Sequence, residues 1–215
     1  MPIRGPVFLE GIRFAAGVAS DPSGVITLWK AATGGKAVGC LPDTPVPELL
    51  HAANLLRIAF ESSEDLPLLS GRVDGWLVEG DPPPFSIPSG GAPCFSFPRL
   101  PPANLEEALD RVEAMAEWAG ALSGFPASEG GLWKSIRAHS THRSLLDALA
   151  ERCLQETTFL TPEERRNIVR AGNFLPPEAH SRLLSSILEI DPEPAGIATE
   201  GEMGDPLLVL AKRLM

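Results

Sequence analysis

"PVPELLHAANLLRIAF", residues 45–60, is apolar around most of a helical circumference. Leu49, Leu50, Ala52, Ala53, Leu56, Ala59 and Phe60 cover a wide arc, and His51, Asn54 and Arg57 mark a narrow polar stripe. That periodicity predicts a single helix across the stretch, packed against a sheet or other helices over most of its surface.

The flanks supply the sheet. "PVFLEGIRFAAGVA" and "GVITLWKAA" bracket Asp21-Pro22-Ser23-Gly24, whose Pro and Gly suit the second and fourth positions of a type I turn. A third run, "KAVGCL", follows Thr33-Gly34-Gly35, and "GRVDGWLVEG" at 71–80 reads as a further strand bounded by glycines. Residues 1–80 therefore read as a small antiparallel sheet with one buried helix.

Residues 81–102 contain eight prolines and an adjacent pair of glycines. Proline lacks the N–H that a helix or a central strand needs, so the segment reads as a connector. From 103 to 190 the pattern is helical. Leu105, Leu109, Val112, Ala116 and Ala119 form one apolar face, and Leu145, Leu146, Leu149, Cys153 and Leu154 form another. Thr161-Pro162-Glu163-Glu164 spells a capping box with proline at the first helical position, and Gly172 closes that helix. "PPEAHSRLLSSILEI" adds one more. Residues 191–204 are an acidic Pro/Gly linker, and 205–215 a short apolar helix behind Asp205-Pro206. The fold class expected is α+β: antiparallel sheet first, helical region second.

Composition narrows function by exclusion. Hydrophobic residues make up 44% and charged residues 21%, the balance of a globular chain. No apolar run approaches the roughly 20 residues of a membrane span, and the proline-broken N-terminus lacks a signal-peptide core. A cytoplasmic protein is expected. The net charge of −10 is concentrated in residues 101–215, which hold 11 basic and 18 acidic side chains. Such a surface repels phosphate backbones and anionic membranes, so neither is an expected partner.

The reactive residues are thinly spread. Cys40, Cys94 and Cys153 never approach one another in sequence, which argues against a disulfide framework or a zinc knuckle. Reduced thiols are expected, with only Cys94 accessible. "ATGGKAVG" at 32–39 lacks the leading glycine and trailing hydroxyl of a phosphate loop. His139 and His142 are three apart, a spacing that lets two imidazoles share a metal ion. Ser140 and Thr141 are good caps, however, so a helix start between the histidines is expected and no metal or other cofactor is assigned.

What remains is surface. Glu106, Asp110, Glu113 and Glu117 recur every three or four residues, forming an acidic stripe suited to a basic partner. Leu207, Leu208, Leu210 and Leu214 give the tethered terminal helix an apolar plug. The function expected is a non-catalytic accessory or adaptor protein that binds another protein, or itself, through those two surfaces. The alternative is a small-molecule enzyme with a site between sheet and helices, drawing on Arg137, His139, His142 and His51.

Overall fold

The computed structural model describes residues 5–62, 65–69, 71–80, 91–98 and 101–190. They fall into two compact units: 26–136, and 5–25 together with 137–190.

The first unit is built on four strands, Lys36–Cys40 (β1), Leu55–Ala59 (β2), Gly75–Glu79 (β3) and Cys94–Phe97 (β4). Their order is β2-β1-β3-β4 and every neighbouring pair is parallel. The expected antiparallel sheet is therefore corrected: the fold is mixed α/β with an all-parallel sheet. A parallel pair needs a crossover, and Pro47–Ala52 (α3) supplies the one between β1 and β2. Short Leu66–Leu69 (α4) lies between β2 and β3, and Leu105–Ser123 (α5) follows β4.

This arrangement explains the misreading of 45–60. A strand covered on both faces loses its alternation and becomes a continuous apolar run. Leu55, Leu56, Ile58 and Ala59 are all buried, as are Trp76, Leu77 and Val78 on β3. Helical periodicity therefore carries on from α3 into β2 with no visible break. The break lies at Asn54, held in the left-handed region at φ 55°, with its N–H donating to His51 O. Asparagine tolerates that conformation better than most residues, so it ends the helix and turns the chain into β2.

One sheet face carries the main core. Val38, Cys40, Leu55 and Leu77 pack with Leu49 and Leu50 of α3, and with Val112, Met115, Ala119 and Leu122 of α5. Leu132 closes the cluster from the start of Glu129–Gln155 (α6). On the opposite face the Trp76 ring lies directly over Gly39. A Cβ at Gly39 would sit 2.4 Å from that ring. β4 is an edge strand, and so it tolerates the proline-rich context on either side.

The second unit is helical, and helices also stand where two N-terminal strands were expected, one in this unit and one spanning the boundary into the first. Pro6–Ser20 (α1) buries Phe8, Gly11, Ala15, Val18 and Ala19, a period of three to four rather than two. Asp21 Oδ1 accepts the Ser23 N–H at 3.0 Å, so Asp21-Pro22 opens the helix Ser23–Thr33 (α2) instead of turning a hairpin. α1 packs against Pro162–Ala171 (α7) and Pro177–Leu188 (α8). Phe8 meets Phe159 edge-on at 5.6 Å, and the Arg152 guanidinium stands 4.5 Å over the Phe159 ring. The capping box forms as expected: Thr161 Oγ1 accepts the Glu164 N–H at 3.2 Å and Glu164 accepts the Thr161 N–H at 2.7 Å. No described helix is long and apolar enough to cross a membrane. The expected terminal helix with Leu207, Leu208, Leu210 and Leu214, the expected acidic linker, and residues 81–90 and 99–100 of the connector lie outside the described residues.

Candidate functional site

Each histidine finds a different setting. α6 runs unbroken through Ser140 and Thr141, correcting the expected helix start between His139 and His142. Both histidines are half-buried. His142 reaches α8, where its Nε2 lies 2.6 Å from His180 Nδ1. His180 Nε2 stands 2.9 Å from the carbonyl oxygen of Ile168. Since a carbonyl only accepts, His180 carries its proton on Nε2, its Nδ1 accepts, and His142 donates through Nε2–H. Burial, reinforced by the facing His142, pushes the His180 pKa down to about 4; the Ile168 hydrogen bond opposes this. A neutral, fully committed imidazole results.

His51 belongs to the sheet unit. Its Nδ1 is 2.9 Å from Ser135 Oγ, a spacing that invites comparison with a nucleophile and its base. The proton inventory argues otherwise. Ser135 donates its hydroxyl to Glu48 O at 2.7 Å, so its oxygen accepts from His51. At 1% exposure, Ser135 is a clamp between α3 and α6 rather than an attacking group. Among the described residues no three His, Cys, Asp or Glu side chains stand where they could hold one metal ion.

The thiols are unpaired: Cys40 is buried, Cys94 exposed and Cys153 half-buried. Cys40 ends β1, where the winding reverses. β2 lies on one side of β1 and β3 on the other, and open parallel sheets bind ligands outside the strand carboxyl ends at such a point. Arg57 donates there to Pro42 O, and its Nε has no partner among the described residues. Val46, at φ 52°, is a β-branched residue in the left-handed region, a strained conformation for its type. Burial pushes the Cys40 thiol pKa up, with the Arg57 charge opposing, so the thiol stays protonated.

Surface features differ between the units. Glu106, Asp110 and Glu117 are exposed along α5 and Glu113 is half-buried. Arg111 pairs with Glu107 one turn back, and Glu107 also accepts the Ala103 N–H at 2.7 Å. At the sheet's amino edge a cleft of about 490 Å³ includes Lys36, Asp74 and Trp118. Its charges are engaged: Lys36 donates to Leu122 O, and Asp74 accepts from Ala37 N and Lys30.

In the helical unit a groove runs between α1 and α8. One cleft of about 600 Å³ includes Val7, Arg182 and Ile190, and another of about 400 Å³ includes Val7, Glu10, Gly11, Phe14 and Arg182. Val7 is 60% exposed, Phe14 51% and Ile190 47%. Positions 7, 10, 11 and 14 share one helix face. A Cβ on Gly11 would lie 3.2 Å from Ile187 Cγ1, which shows how closely the helices approach. Sequence reasoning missed this groove because α1 was read as a strand; apolar spacing at 7, 11 and 14 was the signal for it. It missed His180 because that histidine's partner is 38 residues away.

No protein-family model matches the sequence, and no curated protein matches it.

Proposed function

We propose that this chain is a non-catalytic cytoplasmic accessory protein that binds another protein chain. The carrying observation is the α1–α8 groove, where Val7, Phe14 and Ile190 expose apolar surface along one line. Exposed apolar side chains are ordinary singly; aligned along a groove they suit a helix-in-groove or helix-pair contact. The exposed acids of α5 offer a separate docking face for a basic partner. The same reading takes the apolar side chains Leu207, Leu208, Leu210 and Leu214 as a further contact. An accessible, unpaired Cys94 fits a reducing compartment. Ser135 and His180, the groups closest to catalytic arrangements, both have their protons committed to backbone carbonyls.

The test is affinity capture from native lysate with the full chain, a Phe14→Asp variant, and a Glu106→Gln/Asp110→Asn/Glu117→Gln variant. A stoichiometric partner lost with either variant supports the reading; an identical captured set with all three overturns it.

A second reading, small-molecule binding at the carboxyl edge of the sheet, is favoured by the unpartnered Arg57 Nε and the strain at Val46. It predicts a thermal shift with inorganic phosphate or acetate that Arg57→Gln abolishes. No shift with either anion would set it aside.

A further inference from the structure

We infer that the occupant of the α1–α8 groove is a second copy of this chain, packed across a two-fold axis with Glu10 of each copy facing Arg182 of the other. The inference rests on the reading of the groove as a binding surface and names its partner.

A two-fold interface brings one patch against itself, so the patch must be self-complementary. A groove carrying a single sign of charge would repel its own image. Here Glu10 and Arg182 line the same cleft, both are exposed, and neither is ion-paired among the described residues. Reversing the groove onto itself sets each acid against a base and yields two equivalent ion pairs at once.

Shape agrees with charge. Val7 and Phe14 stand exposed on one face of α1, two helical turns apart, and line the same cleft as Arg182 of α8. Across a two-fold axis, Phe14 of one copy packs on Val7 of the other. Ile190, at the end of the same line, extends the apolar strip. Aromatic anchors packed in a pocket and ringed by polar groups supply most of the binding energy at such contacts. The ion pairs fix register and orientation.

The test is sedimentation of the full 215-residue chain from about 1 to about 200 µM, where a reversible dimer shows concentration dependence. The wild type is expected to dimerise. Phe14→Asp, Glu10→Arg and Arg182→Glu should each weaken the dimer about ten-fold or more, and Glu10→Arg/Arg182→Glu together should recover most of that loss. Phe14 is half exposed, so its replacement leaves the fold in place, and circular dichroism checks each variant.

A wild type that stays monomeric throughout overturns the inference, as does a dimer indifferent to all three single changes, or one that the double reversal fails to restore. The capture experiment separates the two levels. A monomer whose captured partner disappears with Phe14→Asp keeps the groove and loses the second copy as occupant. A monomer whose captured set is unchanged loses both.

Discussion

His142 Nε2 lies 2.6 Å from His180 Nδ1, and His180 hands its own proton on to the backbone of α7 at Ile168. The three groups tie α6, α7 and α8 together through a single directional chain of hydrogen bonds. Two imidazoles so close cannot both be cationic, so the chain works only while His180 is neutral. Gly172 completes the setting. A Cβ there would lie 2.5 Å from the His180 ring, so only glycine leaves room for the imidazole.

Stability should consequently fall in mild acid. Folding holds the His180 pKa at about 4, whereas the unfolded chain takes up that proton near 6.5. Between those values the unfolded state binds more protons, so stability declines as pH drops. The contribution is fully present above 6.5 and exhausted near 4. The gap corresponds to about 3 kcal/mol. Urea denaturation at a series of pH values measures the slope, and proton NMR of the histidine Cε1–H follows the residue directly. A His180 resonance titrating near 6.5 would remove the argument.

Ser135 should behave as structure, not as chemistry. Removing its hydroxyl takes away the hydrogen bonds it makes to Glu48 O and His51 Nδ1. Ser135→Ala is expected to cost about 1–2 kcal/mol, the usual scale for losing one or two intramolecular hydrogen bonds. The wild type should also resist a fluorophosphonate probe, since the Oγ is buried and its proton is committed. Labelling at Ser135 on intact-protein mass spectrometry would reopen the catalytic reading.

At α7 the local signal and the structure coincide. Thr161 and Glu164 exchange side-chain and backbone hydrogen bonds across the first turn, and Pro162 occupies the position where its missing N–H costs nothing. Thr161→Ala should destabilise by about 1 kcal/mol, and Thr161→Ser should restore most of it. Equal midpoints for the alanine and serine variants in thermal melts would deny the cap any role.

That contrast shows what could be read from the chain. α7, α8, α5, β1 and β3 were visible because their cues are local: a cap, a glycine, an apolar face of the right period. The sheet's direction was not visible. Parallel pairing joins residues such as Val38 and Arg57 through an intervening helix, and no short stretch records it. In α1, valine, phenylalanine and isoleucine favour strand on propensity alone, and packing against α7 and α8 overrides that preference. Of the surface features, the acids of α5 were legible as a helical stripe. The His142–His180 pair and the Glu10–Arg182 groove were not, because each needs the register of two helices distant in sequence.

The parallel sheet makes its own demand at Gly39. Here the Trp76 indole presses on the backbone of β1, and an added Cβ would lie 2.4 Å from Cζ3 and 2.6 Å from Cε3. Trp76 is 2% exposed and braced edge-on by Phe60 at 5.9 Å, so it has nowhere to retreat. Overpacking of this kind typically costs about 1–3 kcal/mol, and the rigid indole places Gly39→Ala at the upper end. Pairing it with Trp76→Leu should recover part of the loss, because the smaller side chain vacates the space. Denaturation midpoints for the two single variants and the double variant measure the coupling. Strict additivity would show that indole and glycine do not compete for that volume.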